Sequence, residues 1–152
     1  GQQRRGDRHP VAGMERTALS AHYRHVARAE AEAEGDLELI LFPHGWIWNI
    51  PFLGEVNSVG ALCANNWMRA RRSAEALESF FDRTVEDASF AREALSIATR
   101  LTPVLAHQAL TWRANRRVGD GWLTVGDSGG FTDPLLCAGT TLAIVGAATT
   151  SP

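Results

Sequence analysis

The chain contains no lysine: all fifteen basic residues among its 152 are arginines. Any mechanism that needs an ε-amino group from this polypeptide is excluded. Cysteine is scarce as well. Cys63 and Cys137 stand far apart, which excludes a disulfide framework and a C-x-x-C zinc spacing. Charge of one sign is missing too: seventeen acidic residues against fifteen basic give a net charge of −2. That leaves no electrostatic footprint for nucleic acid or an anionic membrane. The longest apolar stretch, residues 135–148, is broken by Gly139, Thr140 and Thr141 and falls short of the ~20 residues that cross a bilayer. No apolar run of signal-peptide length follows the arginine-rich start. The expectation is a cytoplasmic protein with neither nucleic acid nor membrane as partner.

What is present is an apolar fraction of 45%, with five tryptophans, enough for one domain with its own core. Residues 1–14 read as a flexible leader. Over 15–34, helix formers and the spacing of Leu19, Tyr23 and Val26 predict a surface helix ended by Gly35-Asp36. Residues 37–42, 46–50 and 56–62 read as consecutive strands of an antiparallel meander. Apolar residues at three- and four-residue steps predict helices over 70–81 and 86–100, carrying Ala74, Leu77, Phe80, Phe81, then Phe90, Ala94, Leu95, Ile97 and Ala98. Asp82 to Thr84 is the expected turn between them. A strand over 105–116, a turn at 119–121 and a short buried strand at 122–125 follow. Asp133 as N-cap and Pro134 as first residue open a helix to about Ala148. The fold class is α+β, an antiparallel sheet with packed helices.

Two segments carry chemistry. Residues 122–134 are a strand, a glycine-rich turn and a helix start. Glycines let a ligand approach the backbone, and the unpaired N–H groups of a helix start attract electron-rich atoms. Asp127 can accept a hydrogen bond from a sugar-like hydroxyl. The same layout also serves as an ordinary tight connection. The letters Gly-Asp-Ser-Gly-Gly at 126–130 further match those around a chymotrypsin-like serine nucleophile. However, only 24 residues follow Ser128, and the helices at 70–100 are foreign to that β-barrel. In the second segment, residues 45–51, Trp46 and Trp48 at i and i+2 share one strand face while Ile47 and Asn49 share the other. The pair reads either as core aromatics or as the wall of an aromatic-lined cavity.

Trp46-Ile-Trp-Asn-Ile-Pro51 resembles the W-x-W-x-I-P signature of flavin-dependent halogenases, followed at that family's spacing by Ser58-Val-Gly60. Gly126-Asp127 with Phe131-Thr-Asp-Pro134 resembles the family's second flavin motif, Gly-Asp-x-x-x-Phe-x-Asp-Pro, and the resemblance covers roughly residues 20–150. It implies a partial FAD/NAD(P)-binding, flavin monooxygenase-like fold. FAD would be supplied reduced by a flavin reductase, with halide as co-substrate and an aromatic or carrier-protein-bound compound as substrate. It assigns Gly126, Asp127, Asp133, Pro134, Gly139 and Thr140 to the cofactor, and the backbone around Ala138 and Gly139 to the halide. Trp46 and Trp48 take a gating role, keeping the substrate from the flavin.

The chain departs from that family's pattern in lacking both a G-x-G-x-x-G sequence and the catalytic lysine. Residues 15–152 therefore read as the C-terminal portion of a halogenase-like flavoprotein, its parent enzyme active or this portion a non-catalytic remnant. Cys137-Ala-Gly139 replaces the relatives' Ser-Ser/Thr-Gly. Leu136 stands where tryptophan-specific members place glutamate, which points away from free tryptophan as substrate. Among the smaller features, His22 and His25 would share one helix face as solvated residues. Cys63 and Cys137 would be buried small apolar side chains. Arg69, Arg71 and Arg72 would cluster at a helix start, where the dipole disfavours cations.

Overall fold

A computed structural model describes residues 8–27, 35–71, 76–108, 110–136 and 138–150. Expectations that fall on 1–7, 28–34, Arg72, Ala74 and Cys137 lie outside the described residues, as do those on the side chains of Phe90 and Leu136. The chain forms two compact units, one of residues 17–108 and one of residues 1–16 with 109–152.

The 17–108 unit is built on a sheet whose strands run β3 (Glu38–Phe42), β4 (Gly45–Pro51), β5 (Val56–Ala64), β2 (Arg16–Arg24), β6 (Thr99–Arg100), with β7 (Leu105–His107) also paired to β2. The β3–β4–β5 meander is antiparallel and close to the predicted bounds. Period-two alternation sends Ile47, Val59, Ala61 and Cys63 to one face. There they join Leu19, Ala21 and Tyr23 of β2 and Phe80, Phe81 and Val85 of α2 (Leu77–Glu86) in a single cluster. Cys63 is fully buried there, as a small apolar residue should be.

The helix predicted over 15–34 is instead strand β2 in its described part. Leu19 and Tyr23 stand four apart, but Leu19, Ala21 and Tyr23 also alternate, and pairing with β6 and β7 selects the alternation. His22 and His25 are thus not on a helix, and His25 has a positive φ of 61°. The predicted helices are redrawn as α1 (Asn65–Arg71), α2 and α3 (Ser89–Leu95). The expected turn at 82–84 is helical, because Thr84 and Val85 continue the buried stripe of Phe80 and Phe81. Residues 99–100 form a strand, and Ile97 is exposed. Arg69 and Arg71 sit in the last turn of α1, where the helix dipole favours cations, and not at a helix start.

In the other unit, β1 (Arg8–Pro10) pairs antiparallel with β8 (Trp112–Ala114), which pairs with β11 (Gly130–Phe131). The end of the expected leader is therefore strand, and Arg8 lies over the Trp112 ring at 4.0 Å. The predicted strand over 105–116 is two short ones, β7 and β8. A hairpin of β9 (Val118–Gly119) and β10 (Trp122–Leu123) turns at Gly121, with φ +72°. Trp122, expected to be buried, is 45% exposed. The helix expected from Pro134 begins as a 3-10 turn, Pro134–Leu136, and α4 runs Ala138–Thr150. Among the described residues no helix is long and apolar enough to cross a membrane.

Candidate functional site

Extended Val125 leads into a 3-10 turn at Gly126–Ser128. Gly126 takes φ +53°, a conformation that favours glycine, and Gly129 N–H closes the turn onto Gly126 O at 3.0 Å. The Ser128 hydroxyl is consumed by this turn: Oγ donates to Val125 O at 2.6 Å and accepts from Val125 N–H at 3.0 Å. A hydroxyl bonded in both roles to the backbone is a turn-former, which removes the serine nucleophile reading.

Helix α4 packs on the turn through small residues at helical spacing. A Cβ on Gly126 would lie 2.7 Å from Ala143 Cβ, and one on Gly146 would lie 3.3 Å from Val125 Cγ1. A Cβ on Gly139 would fall on Asp127, colliding with Oδ1 and standing 3.0 Å from Cγ. Glycine at 139 thus leaves the space that the Asp127 carboxylate fills beside the first turn of α4. The carboxylate is solvent-accessible and borders a cavity of about 220 Å3 that Phe131, Asp133, Pro134, Gly139 and Thr140 also line. Asp133 Oδ1 accepts from Leu135 N–H at 2.9 Å, fastening the 3-10 turn below that cavity. Gly126 lines an adjoining cavity of about 410 Å3 together with Arg113, Arg117, Gly129 and Gly130. Ala138, half-buried at the start of α4, is outside both linings.

Trp46 and Trp48 belong to the 17–108 unit, on the β4 face opposite Ile47 and Asn49, as the alternation predicted. Their ring centroids are 5.5 Å apart with planes at 55°. Trp46 is buried and Trp48 half-buried. Behind them, a ladder of buried polar side chains crosses three strands. Asn49 Nδ2 donates to Glu38 Oε2 at 2.5 Å, and Asn57 Nδ2 donates to Asn49 Oδ1 at 2.8 Å. The ladder was missed in the sequence, although an asparagine alternating into a buried apolar face is its signal.

A second cluster missed in the sequence joins Tyr23, Arg100 and Asp82. Arg100 Nη1 donates to Asp82 Oδ1 at 2.7 Å and the guanidinium also bonds the Tyr23 phenol. Burial raises the phenol above its ordinary value, against the lowering by Arg100. For the guanidinium, the lowering by burial is outweighed by Asp82 and Tyr23, and the balance is upward.

No protein-family model matches the chain. It is 26% identical over 135 residues to the tryptophan 2-halogenase of Chondromyces crocatus, covering 88% of this chain and 26% of that protein. It is 24% identical over 99 residues to the 1H-pyrrole-2-carbonyl peptidyl-carrier protein chlorinase of Pseudomonas fluorescens, covering 65% and 22%. In structure it is similar to CmlS, a flavin-dependent halogenase, with a TM-score of 0.79 at 25% identity over 93% of this chain and 26% of that one. The chain spans about a quarter of the length of the curated relatives it matches. In sequence and in fold it resembles flavin-dependent halogenases, as a partial α+β flavin-enzyme fold.

Proposed function

We propose that the chain is part of a flavin-dependent halogenase-like oxidoreductase, and that its turn at 126–133 with the start of α4 holds the flavin half of FAD. The observation that carries this reading is the seat of Asp127. A carboxylate beside Gly139, at the mouth of a 220 Å3 cavity, suits the hydroxyls of a polyol chain. A cavity of that size accepts part of a ligand as large as FAD, not the whole of it. The positive excess of this unit, seven arginines against five acids, suits a ligand bearing phosphate.

In this reading Asp127 accepts hydrogen bonds from the ribityl hydroxyls, Gly139 leaves room for that carboxylate, and Gly126 lets α4 pack against the turn, each glycine lining one of the two cavities. Asp133 and Pro134 fix the entry to α4, where Thr140 borders the cofactor and the amides of Ala138 and Gly139 face a halide ion. Trp46 and Trp48, in the 17–108 unit, take the gating role toward an organic substrate that the resemblance assigns them. Reduced FAD, delivered by a flavin reductase, supplies the oxidising chemistry toward halide when oxygen is present. The substrate is an aromatic compound, free or carried on a protein; the names of the two curated relatives span both forms. The setting is cytoplasmic. A second reading, a flavin-binding portion that does not itself halogenate, is favoured by the lack of any lysine in the 152 residues.

Titration of FAD fluorescence with the chain tests the cradle. The expected result is saturable quenching that riboflavin competes away and ADP does not, since G-x-G-x-x-G is missing from this sequence. Competition by ADP but not by riboflavin would overturn the assignment.

A further inference from the structure

Trp48 is seated on the neighbouring strand, and we propose that Ser58 and Gly60 of β5 are positioning residues for its indole. The antiparallel register sets Trp48 across from Gly60 and Ile50 across from Ser58. All four lie on the sheet face opposite the Ile47, Val59 and Ala61 cluster. A Cβ on Gly60 would collide with Trp48 Cζ2 and stand 2.5 Å from Cε2, so the indole lies across β5 where glycine leaves no side chain. Trp48 Nε1 donates to Ser58 Oγ at 3.3 Å, two residue pairs further along the strand and the next position on that face.

These contacts fix different degrees of freedom. The flat seat over Gly60 sets the plane of the ring, and the bond to Ser58 sets which edge points along the strand. Trp46, its ring centroid 5.5 Å away, closes one side. A tryptophan on a strand ordinarily samples several χ1 and χ2 wells. Here one well is selected by the adjacent strand, so a half-buried indole is held rigidly while part of its surface stays accessible. A larger residue at 60 turns the ring, and loss of the hydroxyl at 58 releases its edge. The functional meaning, a rigid aromatic wall, rests on the reading of Trp46 and Trp48 given above. The positioning itself does not.

A Cβ on Gly60 would also stand 2.5 Å from Leu19 O, so Gly60→Ala strains the backbone as well as the ring. Ser58 is half-buried and is the cleaner position. The experiment uses the whole chain, with the indole N–H resonance of Trp48 identified by its loss in Trp48→Phe. Two readouts follow: exchange of that proton with water, and the exciton couplet of the Trp46–Trp48 pair in circular dichroism. Ser58→Ala is expected to speed exchange about fivefold, the scale of one net hydrogen bond, and to weaken the couplet. Ser58→Thr, which keeps the hydroxyl, is expected to restore both. Unchanged exchange and an unchanged couplet in Ser58→Ala would overturn the proposal, as would Ser58→Thr behaving like Ser58→Ala. Failure of FAD to bind would remove the flavin reading and leave both signals in place, so the two claims fall separately.

Discussion

Tyr23 is the only tyrosine in the chain, so phenolate absorbance reports on it alone. Burial raises its pKa, and the proton it keeps in the folded state is one the unfolded chain has begun to release. Between the ordinary value near 10 and the higher folded one, the folded protein binds more protons, so stability is full below about pH 10 and falls as pH rises. A spectrophotometric titration should give a midpoint above 10 in the folded protein and near 10 in denaturant. Tyr23→Phe should flatten the alkaline loss of stability. Equal folded and unfolded midpoints would contradict the burial account. Asn49 permits a second test at this scale, because it bonds both Glu38 and Asn57. Asn49→Leu strips a partner from two buried polar groups and should cost about 3 kcal/mol in denaturant unfolding. A loss below about 1 kcal/mol would mean that the ladder contributes little.

At the scale of elements, α4 is apolar on every side, with Leu142, Ile144 and Val145 each more than half exposed. A helix of that character is ordinarily covered, and exposed it promotes association. Ile144→Glu with Val145→Lys should reduce dye binding and self-association while moving Tm by less than about 3 °C. A large fall in Tm would mean that these side chains are packed. The same elements show what the sequence made legible. Strands β3, β4 and β5 were readable because each is a run of apolar, β-branched or aromatic residues between turn residues. The turn at 126–128 was readable because its glycines meet steric demands. Strand β2 was not, since four-residue and two-residue periods coexist in Leu19, Ala21 and Tyr23, and only its partners β6 and β7 decide between them. The 3-10 start at Pro134 and the exposure of Trp122 likewise depend on neighbours that local spacing does not encode.

Across the whole molecule, the modest net charge of −2 conceals a division. The unit bearing Asp127 carries seven arginines against five acids, and the unit bearing the tryptophans carries eight against twelve. An anionic cofactor is therefore favoured by the unit that also holds the glycine cradle, and its binding should weaken with salt. Flavin bound to one unit should raise the unfolding transition of that unit more than the other, giving non-coincident transitions by different probes.

The measurement that bears most directly on the central claim is the dissociation constant for FAD of the intact chain beside those of Asp127→Ala and Gly139→Ala. On this proposal, Asp127→Ala weakens binding by about 10- to 100-fold, the scale of a lost charge-assisted hydrogen bond. Adding a methyl at 139 should displace Asp127 and produce a loss of the same order, with far-ultraviolet circular dichroism unchanged. Wild-type affinity in both variants, or no saturable binding by the unaltered chain, would contradict the account.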